Sequence, residues 1–279
     1  MNLSKIVDSI AAKAAENNPP NEQDYIVDGL LHCHKCGTAK QTRITVFGKE
    51  RKVFCMCQCM AEELKREEAA QKADELRQRI ERYRRSGFPE SDMQNWTFER
   101  DDQSDPRTST VMHRYVNSFG DMLKNGKGLV LYGKCGSGKT FAAACAVNAL
   151  IDKGYPCLMT NFSRIANTLS GMFEKQAYLD SLNAYVLIVL DDLGAERSTE
   201  YMNEIVYNII DARYRANLPM IITSNLSGED LKHPKDIAEQ RVFNRVLERC
   251  FPLEVNGPDR RRKTIIREYD GMKKMLGLE

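Results

Sequence analysis

Three short runs of the chain are apolar almost throughout, with no alternation of polar positions. Residues 128–132 read Gly-Leu-Val-Leu-Tyr, 185–190 read Tyr-Val-Leu-Ile-Val-Leu, and 219–223 read Pro-Met-Ile-Ile-Thr. Continuous apolar runs of this length mark strands buried on both faces, as in a parallel sheet covered by helices. The stretches between them carry helical patterns. Residues 141–150 are Ala-rich and free of Gly and Pro, 162–175 reads as another helix, and 240–249 repeats arginine every four residues. The N-terminal part looks different. Residues 61–85 are almost entirely Glu, Lys, Arg, Ala and Gln, with Leu64, Leu76, Ile80 and Tyr83 as periodic apolar positions. That pattern predicts a long, mostly solvated helix, serving as a spacer or packing on a partner helix. Its acidic start and basic end suit the helix dipole, and Ser86-Gly87-Phe88-Pro89 stops it. Before it, residues 44–47 and 52–54 could form a small hairpin.

The first apolar strand runs directly into Gly133-Lys134-Cys135-Gly136-Ser137-Gly138-Lys139-Thr140, and the Ala-rich helix follows. This strand, loop and helix supply the setting in which G-x-x-x-x-G-K-[ST] cradles phosphates. The glycines let backbone N–H groups turn onto phosphate oxygens, and the helix N-terminus adds partial positive charge. Lys139 is expected to reach the β and γ phosphates of ATP or GTP, and Thr140 to hold Mg²⁺.

The second strand ends in Asp191 and Asp192. In open α/β sheets ligands bind outside the carboxyl ends of the strands, so Asp191 is placed to hold Mg²⁺ and Asp192 to orient or deprotonate an attacking water. Asn225, just past the third strand, could sense the γ-phosphate, although Asn is equally a turn residue. Arg241, Arg245 and Arg249 share one face of a helix. Such a row is either a solvated basic face or an arginine finger given to a neighbouring subunit.

Five of the nine cysteines fall between positions 33 and 59: Cys33, Cys36, Cys55, Cys57 and Cys59. No signal peptide or long apolar segment precedes them, so a cytoplasmic setting is expected, where such clusters bind metal more often than they form disulfides. Cys33-x-x-Cys36 is a natural knuckle for tetrahedral Zn²⁺, which would hold together a module too small to bury a core. Four ligands are needed, and His32 and His34 also lie within reach. Cys135, Cys145, Cys157 and Cys250 read as small packing residues. A length of 279 suits one α/β domain plus a small appendage, and the net charge of +2 does not by itself argue for nucleic acid. The local basic clusters, five arginines within 77–85 and Arg260-Arg261-Arg262-Lys263, speak for it somewhat more. There is no membrane segment or internal repeat.

Taken in order, the phosphate loop, Leu190-Asp191-Asp192-Leu193-Gly194, Ile222-Thr223-Ser224-Asn225, Arg241-x-x-x-Arg245 and Gly257-Pro258-Asp259-Arg260-Arg261 resemble the AAA+ ATPases of the bacterial helicase-loader family. That family includes DnaC-like and DnaI-like loaders, their phage versions and the related IstB transposition helpers. The resemblance covers roughly residues 85 to 265. It implies an AAA+ P-loop ATPase with a parallel sheet flanked by helices and a small N-terminal zinc-binding module. It also implies Arg245 as the finger with Arg241 beside it, and Arg261 or Arg260 as a second sensor of the subunit's own nucleotide. Cys-x-Cys directly before a helix resembles loader N-terminal modules, which favours Cys33, Cys36, Cys57 and Cys59 as zinc ligands with Cys55 as the alternative. Residues 94–98, which hold Trp96, resemble a segment that lines the adenine side, and the helix at 162–175 a surface that meets single-stranded DNA.

Three departures from the family stand out. Asp192 replaces the common Glu, Cys135 is unusual in the loop, and fewer than twenty residues follow Arg261, so the helical lid must be small or missing. The expected organisation is a helicase-interacting zinc module at 1–60, a charged linker helix at 61–88 and the ATPase at 89–279. The function implied is ATP-dependent loading of a DnaB-type replicative helicase onto single-stranded DNA. Subunits would form a spiral or ring, and ATP would be hydrolysed across their interfaces. A transposition helper, or an ATP-switched adaptor with weak hydrolysis, is the alternative.

Overall fold

A computed structural model describes residues 9, 12–46, 48–194 and 199–278, without the side chains of 260–264, 266, 267 and 270. The chain divides into two compact units, residues 1–76 and 77–279. The division falls inside the long helix α1 (Gln58–Ser86), not at either of its ends. Leu64 and Leu76 of this helix are exposed, whereas Ile80 and Tyr83 pack on the core of the second unit, so its last turns belong there. The helix starts three residues earlier than its composition predicted and has no acidic residue in its first turn; Arg84 and Arg85 close it as expected.

The N-terminal unit holds two antiparallel hairpins. The first, β1 (Tyr25–Val27) with β2 (Leu30–His32), turns on Asp28 and Gly29, both left-handed at φ 48° and 72°. Asp-Gly suits that two-residue turn. The second, β3 (Gln41–Val46) with β4 (Lys49–Phe54), lies where a hairpin was expected but is longer, pairing Gln41 with Phe54 through to Val46 with Lys49. A buried carboxylate ties the unit together. Asp24 accepts from Asn21 N and Lys40 Nζ at 2.8 Å on one oxygen and from His34 N at 3.1 Å on the other. The Lys40 ammonium, with the Asn21 amide, holds the Asp24 carboxyl well below the usual carboxylate range.

The second unit is a five-stranded parallel sheet. Its strands are β5 (Gly128–Tyr132), β6 (Cys157–Asn161), β7 (Leu187–Leu193), β8 (Met220–Ser224) and β9 (Cys250–Glu254), in the order β6-β7-β8-β5-β9. Successive residues of one strand enter opposite cores. Leu129, Leu131, Leu187, Val189 and Ile221 join the cluster that includes Met112, Ala143 and Val147. Val130, Ile188, Leu190, Met220 and Ile222 join the cluster that includes Phe162, Ile209 and Val246. Both faces are therefore covered, which is why the three runs contain no alternation.

Around the sheet lie α2 (Pro106–Asn117), α3 (Phe119–Asn125), α4 (Lys139–Asp152), α5 (Phe162–Ser170), α6 (Lys175–Ser181), α7 (Glu200–Arg215), α8 (Gly228–Lys232), α9 (Ile237–Arg249) and α10 (Arg260–Leu276). The single helix predicted over 162–175 ends at Ser170, with Gly171 after it, and a separate α6 begins at Lys175. β6 and β9, which the apolar pattern did not pick out, are the two edge strands. Pro252 is at home in β9 because an edge strand tolerates the missing donor. No described helix is long and apolar enough to cross a membrane.

Candidate nucleotide site and thiol cluster

The loop from Gly133 to Gly138 joins the carboxyl end of β5 to the first turn of α4, so the helix N-terminus faces the ends of the strands. Gly133 (φ 142°) and Gly136 (φ 80°) adopt conformations that L side chains rarely take. Space forbids a side chain too: a Cβ on Gly133 would stand 2.6 Å from Val255 O, and one on Gly136 would strike the Asp259 carboxylate. Lys139 is buried, and its Nζ donates to Gly133 O at 3.0 Å, Lys134 O at 2.9 Å and Asn225 Oδ1 at 2.8 Å. Ser137 Oγ is buried with no hydrogen-bond partner among the described residues. A positive side chain, a helix N-terminus and turned backbone amides together fit a polyphosphate.

Both acids lie within β7 and not past its end. Asp191 Oδ2 accepts from Thr140 Oγ1 at 3.3 Å, bringing together the two residues expected to hold Mg²⁺. Asp191 Oδ1 accepts from Thr223 Oγ1 at 2.6 Å. Burial pushes the Asp191 carboxyl up from its ordinary range, and the Thr223 hydroxyl works against that push. At Asp192 the strand is irregular: its φ is +60°, and pairing with β8 shifts between Leu190 and Leu193. The Asp192 amide donates to Thr223 Oγ1 at 2.9 Å. Asn225 Nδ2 donates to Asp192 Oδ1 at 3.4 Å, so Asn225 bridges Lys139 and Asp192 and its side chain points into the site.

These residues border a cleft of about 540 Å³ lined by Trp96, Cys135, Gly136, Gly138, Lys139, Thr140, Phe141, Asp192, Asn225 and Ile265, within the size range of small-ligand sites. Trp96 and Phe141 place their rings 5.9 Å apart at one end. Buried Asn148 fixes this end by donating from Nδ2 to Met93 O at 2.8 Å and Trp96 O at 2.9 Å. Cys135 is exposed on the loop. Ile265 belongs to α10; the side chains of Arg260 and Arg261 lie outside the described residues.

Arg241 and Arg245 do not join this cleft. Arg241 is exposed on α9. Arg245 packs on α7, with Nε donating to Asp211 Oδ1 at 2.9 Å and Nη2 to the Tyr207 hydroxyl at 2.8 Å.

In the N-terminal unit Cys33, Cys36, Cys57 and Cys59 bring their sulfurs within 4.8 Å of one another, with Cys33 and Cys57 buried. Cys59 Sγ is 3.6 Å from Cys33 Sγ and 3.4 Å from Cys57 Sγ. Tetrahedral zinc with 2.3 Å bonds needs sulfurs about 3.8 Å apart, so the donor set fits that ion. The Thr38 hydroxyl pulls Cys36 down to about 5, and the Cys57 sulfur pushes Cys59 up to about 12. Cys55 stands apart, its sulfur donating to Ala39 O at 3.6 Å.

Residues 44–267 match the family of IstB-like ATP binding proteins. The chain belongs to that family. It is similar to the replicative helicase loader DnaI of Bacillus subtilis (strain 168), 30% identical over 193 residues that cover 63% of this chain and 62% of DnaI. It is also similar to a putative insertion sequence ATP-binding protein of Sinorhizobium fredii (strain NBRC 101917 / NGR234), 24% identical over 69% of this chain and 65% of that protein. Neither match reaches two thirds of the relative's length. Among solved structures, the crystal structure of DnaI superposes with a TM-score of 0.52 at 26% identity, over 63% of this chain and 96% of that one. The DnaC helicase loader gives 0.52 at 25% identity, over 60% of this chain and all of that one. The sheet and its phosphate loop are thus those of an AAA+ ATP-binding domain, as the sequence resemblance implied.

Within this IstB-like site, Thr223 is the residue that sequence reasoning passed over. Its hydroxyl holds both acids of β7, and buried Ser224 extends the row by donating to Leu193 O at 2.6 Å. The available signal was two hydroxyl residues closing an otherwise apolar strand.

Proposed function

We propose that the protein is an ATP-dependent loader that delivers a DnaB-type replicative helicase to single-stranded DNA. Its likeness to the loader DnaI, in sequence and in fold, is the observation that carries this reading. ATP sits along the cleft with its phosphates on the loop, Lys139 beside the β and γ groups, and the base toward the end lined by Trp96 and Phe141. Thr140 and Asp191 hold Mg²⁺, which neutralises phosphate charge. Asp192 orients the attacking water and Asn225 senses the γ-phosphate. Arg245, with Arg241 beside it, completes the site of a neighbouring copy, and Arg261 or Arg260 reads the subunit's own nucleotide. The N-terminal unit grips the helicase. Zinc on Cys33, Cys36, Cys57 and Cys59 supplies the crosslink that closes this unit. Copies assemble into a spiral or ring around the DNA in the cytoplasm, and hydrolysis across their interfaces releases the loader.

The likeness to insertion-sequence ATP-binding proteins supports a second reading, a transposition helper that marks target DNA. Mixing the protein with its host's replicative helicase, with ATP, with ADP and without nucleotide, separates the two when the mass of any complex is measured by light scattering. Loading requires a defined, nucleotide-sensitive complex that is lost when Cys33 and Cys36 are changed to Ser. Absence of a complex under every condition would sink the loader reading.

A further inference from the structure

Arg245 is held in place by its own chain along one edge. Nε and Nη2, which form that edge, are both engaged by α7, on Asp211 Oδ1 and the Tyr207 hydroxyl. The guanidinium also lies over two rings, 4.7 Å from the Tyr207 centroid and 5.8 Å from that of Tyr214. Nη1 is left with a single, longer bond, 3.3 Å to Arg241 O within its own helix. The side chain is 27% exposed, and Nη1 is the one guanidinium nitrogen with no contact to α7 among the described hydrogen bonds. Asp211 is itself pinned. It is 9% exposed, and its other oxygen takes Arg215 Nη2 at 2.9 Å, one turn further along α7.

A guanidinium loses rotamer freedom when it is fixed on a phosphate. Here that ordering is already present in the single chain, because an ion pair, a hydroxyl and two aromatic faces set the side chain's direction. We propose that Asp211 and Tyr207 are positioning residues for Arg245, presenting its Nη1 edge to the phosphates of ATP bound by an adjacent copy. The proposal rests on the trans role given to Arg245 under Proposed function and adds the residues that aim it. Arg241, exposed one turn earlier on α9, has no such scaffold among the described contacts. The pairing therefore distinguishes the two arginines: Arg245 is aimed, and Arg241 is exposed without such a scaffold.

The test is steady-state ATP hydrolysis by the full-length protein at concentrations where it self-associates, with ATP affinity measured separately. Asp211→Asn is expected to lower turnover ~10- to 100-fold and Tyr207→Phe ~3- to 10-fold, both with unchanged ATP affinity. Subunit mixing supplies the readout that a merely structural role would not move. Asp211→Asn mixed with Lys139→Ala recovers hydrolysis, because the second chain cannot use its own site but presents an intact Arg245; Asp211→Asn mixed with Arg245→Ala does not recover. An inactive Arg245→Ala alongside fully active Asp211→Asn and Tyr207→Phe would overturn the positioning role alone. An inactive Asp211→Asn that Lys139→Ala fails to rescue would overturn it too, since the residue would then act within its own copy. Wild-type turnover by Arg245→Ala would instead overturn the trans reading itself.

Discussion

Among the described residues of the N-terminal unit, the only buried hydrophobic side chains are Cys33 and Cys57, and the other buried residues are Asn18 and Lys40. The second unit buries whole strands: every residue of β8, and every residue of β5 except Tyr132, is shielded from solvent. The contrast shows two ways of holding a fold. A short segment cannot remove enough apolar area from water to offset the entropy of ordering its chain, so sulfur and ion-pair contacts take over. The AAA+ unit is long enough for hydrocarbon to do so.

The largest expected effect separates the two units outright. With zinc held by the four thiols as proposed, chelating it, or changing Cys57 to Ser, should unfold the N-terminal hairpins, read as loss of amide dispersion for residues 20–57 in NMR spectra. The thermal transition of the second unit should stay within a few degrees. One shared transition that moves as a whole would break the comparison. A smaller effect runs the other way. Leu190→Ala opens a fully buried position in β7 and should cost the second unit about 3 kcal/mol, or roughly 6–12 °C in Tm, while bound zinc stays unchanged. A change in zinc content would show that the units are not independent.

The finest effect concerns pH. Burial raises the Asp191 pKa and the Thr223 hydroxyl bond lowers it by favouring the ionised form. Thr223→Val keeps the branched shape but removes that bond, so the Asp191 pKa should rise further. Protonated Asp191 holds no cation, and the acid limb of Mg²⁺-dependent ATP turnover should therefore move to higher pH in the variant. An unmoved or lowered acid limb would mean that the bond does not tune this carboxylate.

How much of this was legible follows from how far apart the interacting residues lie. The phosphate loop, the paired acids and the central strands are local patterns, and the structure puts them where the pattern implied. The edge strands β6 and β9 carry only short apolar stretches, Cys157-Leu158-Met159 and Cys250-Phe251 followed by Pro252, which do not stand out along the chain. Thr223 closes an apolar strand with a hydroxyl, but its partners could not be read off because they lie 31 and 32 residues away on a neighbouring strand. Spacing alone left Arg245 either on a solvated basic face or as a finger, because Asp211 and Tyr207, which hold it, are 34 and 38 residues distant on another helix.

Spacing alone could not separate Cys55 from Cys59, since both stand two positions from Cys57. The geometry does so: Cys55, just past β4, turns its sulfur to Ala39 O, and Cys59, in the first turn of α1, turns its sulfur to Cys33 and Cys57. The sequence by itself determined the parallel sheet, the phosphate loop and the Asp191–Asp192 pair, because each is encoded in residues adjacent along the chain. Only the tertiary structure decided which thiols meet, what holds the acids and which arginine is bonded to α7, because those contacts join segments that folding alone brings together.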